Sequence, residues 1–111
     1  MAIPKEIDTL IGPNSVFEGI FQAQGVLLIE GKFKGNLLFS DQIYVSPTGE
    51  VNSDIQGGAI FVEGKVEGNI MAKSRVVLLP GSFIKGDITT PELITQKGVI
   101  LQGRCNITQE M

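Results

Sequence analysis

The chain has 111 residues, 42% of them apolar and 19% charged, with 14 Gly, one Tyr, no Trp, no His and a formal net charge of −3. That is the composition of a single soluble domain, and its acidic balance supplies no electrostatic footprint for nucleic acid. The lack of His removes the usual general base and the commonest metal ligand, and Cys105 as the only cysteine excludes an intrachain disulfide or a Cys-based metal cluster.

The N-terminal MAIPKEID has no apolar core of a secretory signal, and no stretch approaches the roughly 20 apolar residues that span a bilayer. Cytoplasmic residence is therefore the default. Residues 1–8 read as a short tail, 9–107 as a folded core and 108–111 as a second tail. Along the core an apolar–small–apolar triplet at alternate positions recurs: Phe17-Gly19-Phe21, Phe33-Gly35-Leu37, Val51-Ser53-Ile55, Val66-Gly68-Ile70, Ile84-Gly86-Ile88 and Leu101-Gly103-Cys105. Period-two alternation is the strand signal, and recurrence about every 17 residues predicts that each strand lies over its predecessor after one circuit of a coil.

Each triplet is preceded by a second inward pair: Thr9-Ile11, Leu27-Ile29, Ile43-Val45, Ile60-Val62, Val76-Leu78 and Leu93-Thr95. A smaller contribution follows it at Ala23, Phe39, Gly57, Ala72 and Thr90. Three short faces per circuit predict an all-β, single-domain parallel β-helix of about six rungs with a triangular cross-section. Its outward columns support that register. One runs Glu18, Lys34, Asn52, Glu67, Lys85, Gln102 and another, in the middle rungs, Lys32, Glu50, Lys65. Opposite charges one rung apart favour parallel stacking. A third column, Asn36, Asp54, Asn69, Asp87, is of a type that bonds along a ladder.

The corners before the triplets alternate between Pro13, Pro47 and Pro80 and the pairs Glu30-Gly31 and Glu63-Gly64. The proline corners read as one residue longer, with glycine in the others supplying positive φ. This alternation explains why LIEGKFKGNL and FVEGKVEGNI are near copies 33 residues apart (61 − 28): they lie on rungs with the same corner.

No catalytic constellation emerges. Gly31-Lys32 and Gly64-Lys65 lack the Ser or Thr and the helix of a phosphate loop, and Glu63 and Glu67 read as a solvated face. Cys105 falls in an inward slot, as a small buried hydrophobe. No cofactor and no metal is expected. The ends of the coil are the informative places, because end rungs carry unpaired backbone groups. Central rungs read as polar outside, whereas Val16 and Ile20 near the start and Phe83 and Ile100 near the finish are apolar. Together with Leu10, Ile11, Phe17, Leu101, Cys105 and Ile107 they form the expected polymer interface, with end-to-end stacking as its use. The alternative is that MAIPKEIDTL and the C-terminal tail fold back and shield these residues.

TLIGPNSVFEGIF, the repeated EGKVEGNI, LPGSFIKGDITTPELI and KGVILQGRC, in that order, resemble the bactofilins, bacterial polymer-forming cytoskeletal proteins. The resemblance covers residues 9 to 107. It implies a right-handed β-helix, nucleotide-independent homopolymerisation through terminal rungs, and a scaffold role in cell shape or wall synthesis near peptidoglycan-modifying enzymes or other cell-envelope proteins. The family commonly has Phe in the last rung where this chain has Leu101. Some members contact the inner membrane through an apolar N-terminus, for which Met1, Ala2 and Ile3 are a weak counterpart. The competing reading is a non-polymerising β-helical binding or accessory module, acting as a monomer or closed dimer.

Overall fold

A computed structural model describes residues 7–22 and 24–108; for residues 38–40 it describes the backbone alone. The strands, in chain order, are β1 (Thr9–Ile11), β2 (Val16–Phe21), β3 (Val26–Ile29), β4 (Lys32–Val45), β5 (Glu50–Val62) and β6 (Lys65–Glu67). They continue with β7 (Ile70–Leu78), β8 (Phe83–Lys85), β9 (Ile88–Thr90), β10 (Leu93–Thr95), β11 (Ile100–Gln102) and β12 (Cys105–Ile107). Every pairing is parallel, and no helix occurs among the described residues.

The register follows the predicted columns. Phe17, Phe33, Val51, Val66, Ile84 and Leu101 are successive partners, as are Phe21, Leu37, Ile55, Ile70, Ile88 and Cys105. The second face stacks Thr9, Leu27, Ile43, Ile60, Val76 and Leu93 beside Ile11, Ile29, Val45, Val62, Leu78 and Thr95. Middle members of these columns are buried in one continuous core. The chain is thus a parallel β-helix of six turns. Residues 93–95 pair with Val76, Val77 and Leu78 like any other rung.

The third face departs from expectation. Gly57 pairs with Ser40, not with Phe39, and an irregularity lies between Leu37 and Ser40. In sequence the extra residue shows only as a spacing of six from Leu37 to Ile43 against five from Ile55 to Ile60, which does not fix where the strand takes it up. Ala23 and the Phe39 side chain lie outside the described residues, whereas Gly57, Ala72 and Thr90 are buried as expected.

The corners also differ from the expected pattern. The proline corners hold four residues each, 12–15, 46–49 and 79–82, against two in Glu30-Gly31 and Glu63-Gly64, so the difference is two residues rather than one. Each long corner is a β-turn with Pro second: Ser15 N–H donates to Gly12 O (3.0 Å), Gly49 N–H to Ser46 O (2.8 Å) and Ser82 N–H to Leu79 O (3.1 Å). Gly31 and Gly64 do not have positive φ. Their requirement is space: a Cβ on Gly31 would run into the carbonyl oxygens of Gly12 and Ser15, and one on Gly64 into those of Gly49 and Ser46. The short corner tucks under the long one.

Positive φ occurs in the small column, where Gly19, Gly35, Gly68, Gly86 and Gly103 have values from 134° to 148°, and among the corners at Gly81, after Pro80, at 92°. Ser53 fills the same column without positive φ. Its Oγ accepts from Leu37 N–H (3.2 Å) and donates to Asp54 O (2.8 Å).

Gly64→Ala should lower stability by about 1–3 kcal/mol through this steric conflict. Gly12→Ala, whose Cβ would meet nothing nearer than Ser15 Oγ at 3.7 Å, should change it by no more than about 0.5 kcal/mol. Urea midpoints of dilute protein check both; equal losses would refute the account of the corner.

Candidate functional site

The flanks of the coil are built for stability. Asp54 Oδ1 accepts from Asn69 N–H (2.9 Å), Asn69 Oδ1 from Asp87 N–H (3.0 Å) and Asp87 Oδ1 from Arg104 N–H (3.1 Å), so the Asn/Asp column does form a ladder across one corner. Lys32, Glu50 and Lys65 are partners up the outer face, with Lys32 Nζ 3.9 Å from Glu50 and Lys65 Nζ 3.3 Å from Glu67. These pairs are solvated and each contributes little. Depressions on these flanks are shallow. One of about 300 Å³, bounded by Ile20, Asn36, Leu37, Asp54 and Gln56, is open to solvent and holds no convergent set of reactive groups.

The ends are built differently. β1 and β2 each pair on one side only, with β3 and β4; β10, β11 and β12 pair only with β7, β8 and β9. Each end rung therefore presents a backbone edge with no described strand beyond it. At the first rung Phe17 stacks on Phe33, centroids 5.1 Å apart and planes 8° apart, while Phe21 meets both rings edge-on at 5.2 and 6.2 Å. Phe33 is thereby buried, and Phe17 and Phe21 stay partly open on their far side. Val16 (68% exposed) and Ile20 (72%) extend this aromatic platform outward. Leu10 is exposed, but Ile11 is buried within the core.

At the last rung Leu101 is only partly buried and Ile100 and Ile107 are exposed. Cys105, expected in an inward buried slot, is exposed. Its column is inward, as the register shows, but the slot is closed only where another rung lies above it. Phe83 sits one rung inside the end, half-buried, with Lys65 Nζ 5.8 Å from its ring centre and Ile100 as its next partner. Met1, Ala2 and Ile3 lie outside the described residues.

One feature of the middle rungs escaped the sequence reading. Their outer surface is not polar on every face: Tyr44 and Phe61, partly exposed, are partners in a column outside the core cluster that continues to Leu28 and Val77, which are themselves buried. The signal was present. VLLI, IYV, AIFV and VVL are unbroken apolar runs, and a strand with only one buried face should alternate.

Open apolar ends, solvated flanks and a parallel ladder that runs from the first rung to the last define a structural solenoid suited to association with copies of itself. The chain belongs to the bactofilin family, polymer-forming cytoskeletal proteins, on a match over residues 9–106. It is similar to a Thermus thermophilus bactofilin solved by cryo-EM as double helical filaments, with a TM-score of 0.84 at 24% identity over 90% of this chain and 99% of that one. It is also similar to the cytoskeletal bactofilin BacA solved by solid-state NMR, with a TM-score of 0.81 at 32% identity over 91% of this chain and 96% of that one. Among curated proteins none matches. Family membership makes the chain a filament-forming cytoskeletal protein that self-associates, and the family is structural rather than enzymatic. Among the described residues no helix is long and apolar enough to cross a membrane.

At concentrations too low for self-association, Cys105 should react with a thiol reagent at one equivalent without denaturant. Reaction only after unfolding would mean that the last rung is covered.

Proposed function

We propose that this chain is a cytoplasmic cytoskeletal subunit that polymerises without nucleotide by stacking its terminal rungs, and that the filament scaffolds cell-shape or cell-wall machinery. The observation that carries the reading is the contrast within single columns. Val51, Val66 and Ile84 are buried, whereas Phe17 and Leu101, at the two ends of the same column, are only partly covered. Adding a rung at either end would bury apolar surface and pair a free backbone edge in one step, the physics of strand addition. Phe17, Val16 and Ile20 at one end and Leu101, Ile100, Cys105 and Ile107 at the other are the residues assigned to it, with Leu10, Ile11 and Phe83 behind them.

Nucleotide independence is supported by the chemistry of the chain. Gly31-Lys32 and Gly64-Lys65 are corners whose glycines lie against carbonyl oxygens, with no phosphate cradle around them. Peptidoglycan-modifying enzymes and other cell-envelope proteins are the partner class that such a scaffold would serve. Met1, Ala2 and Ile3 would supply a weak contact with the inner face of the cytoplasmic membrane, supported by their apolar character alone.

Leu101→Arg should abolish filaments in negative-stain electron microscopy while leaving the β-rich circular dichroism spectrum unchanged. The parent chain should form filaments with no nucleotide added and keep them at high salt, since the contact is apolar. Filaments of Leu101→Arg indistinguishable from those of the parent would rule out the last rung as an interface.

A further inference from the structure

Tyr44 and Phe61, on the second face of the coil, stand outside the core cluster with ring centres 4.5 Å apart and planes 8° apart. Each ring has an aliphatic neighbour beyond it in the same column. Leu28 pairs with Tyr44 and Val77 with Phe61, and the column ends at Leu10 on one side and Ile94 on the other. Leu28 and Val77 thus occupy equivalent places, each between an aromatic residue and an aliphatic end residue, and neither belongs to the core cluster. Leu28 has the longer side chain and the more open neighbour, since Leu10 is 54% exposed and Ile94 39%. It should therefore be the more exposed of the two, yet it is 3% exposed against 9% for Val77. Every described strand is a rung of the coil, so none lies over it.

We propose that Leu28 is the seat of the chain's own N-terminal segment, residues 1–6, which docks on the outer side of the second face. The segment starts beside this seat. Asp8 is pinned twice to Val26, its N–H donating to Val26 O (3.0 Å) and its Oδ2 accepting from Val26 N–H (2.8 Å), and Val26 opens the strand that carries Leu28. The two residues from Val26 to Leu28 span about 7 Å and six extended residues about 20 Å, so the segment can turn back and still reach past Leu28 to Tyr44. Pro4 suits that turn, and Met1, Ala2 and Ile3 on its far side are apolar. The other end of the chain does not reach. Thr108 N–H donates to Thr90 O at the last rung. Leu28 is four rung steps from Ile94 in that rung, about 19 Å away, whereas three extended residues span only about 10 Å. Docking holds Met1, Ala2 and Ile3 against the coil, and these are the residues proposed above for the membrane. Both contacts use the same apolar side chains, so one excludes the other, and the coil shelters the segment until a membrane competes for it.

The competition rests on the membrane contact proposed above, and the docking does not. Tyr44 is the only tyrosine and there is no tryptophan, so tyrosine emission reports on this face alone. Iodide quenching is measured on dilute parent chain, on Ile3→Asn and on a chain lacking residues 2–6. That deletion removes one Lys and one Glu and leaves the net charge unchanged. Cosedimentation with vesicles of phosphatidylglycerol and phosphatidylethanolamine is measured on the same chains and on Leu28→Gln. Tyr44 should be quenched several-fold more in the deletion and in Ile3→Asn than in the parent. Vesicle binding should be weak for the parent, several-fold stronger for Leu28→Gln and lost in the deletion. Equal quenching in all three chains would overturn the docked segment and leave the membrane contact standing. Unequal quenching, with parent and Leu28→Gln bound equally to vesicles, would overturn the sheltering. Unequal quenching with no vesicle binding by any chain would remove the membrane contact and uphold the docking. The quenching comparison stands even where Leu28→Gln fails to fold.

Discussion

The separation of two parallel strands, about 4.8 Å, sets the terms for the rest of this molecule. Six circuits of chain must lie on one another at that distance, so every corner passes directly over the backbone of the corner before it. At Gly31 and Gly64 even a methyl group would strike the carbonyl oxygens of the neighbouring rung. The small column meets the same limit, with a Cβ on Gly35, Gly68, Gly86 or Gly103 directed at the carbonyl of the preceding small residue. Close stacking is also what makes columns of like residues possible. Once the spacing is fixed, Phe33 under Phe17 or Ile70 under Ile55 fills the interior without further specification.

The same constraint joins fold to function. A rung in the middle is covered above and below, and a rung at the end is covered on one side. No change of sequence is needed to make an end adhesive, since the inward residues of any exposed rung become surface. The chain adds to this by making the outward end positions apolar at Val16, Ile20 and Ile100, where the middle of the same columns carries Lys32, Glu50, Asn36 and Asp54. Polar flanks oppose association through those columns, which supports the ends as the proposed contact.

Much of this architecture is legible in the sequence, for a physical reason. Alternation and recurrence are carried by residue type, so the inward columns and their register could be read directly. What depends on backbone geometry could not. The extra residue between Leu37 and Ser40 lengthens the spacing from Leu37 to Ile43 to six, against five from Ile55 to Ile60, but the spacing does not say at which residue the strand bulges. The glycines of the short corners looked like positive-φ residues because glycine serves both uses, and only the distance to Gly12 O or Gly49 O separates them. Cys105 was assigned by its column, and columns do not reveal which rung is last. The partly exposed Tyr44 and Phe61 are signalled by the unbroken apolar runs IYV and AIFV, which the expectation of polar outward positions does not accommodate.

The backbone hydrogen bonds between rungs run along the axis of the coil, as in Phe83 N–H to Gly64 O and Ile100 N–H to Ser82 O. Tension applied to a stack of such molecules is therefore borne by rung contacts in series, each contact sharing the load across all the bonds of one circuit. A covalent chain spirals through the contacts within a subunit, but none crosses the joint between subunits. If the filament is joined end to end as proposed, it is no stronger in extension than its weakest joint, and under overload it would part between intact subunits whose exposed rungs are ready to rejoin.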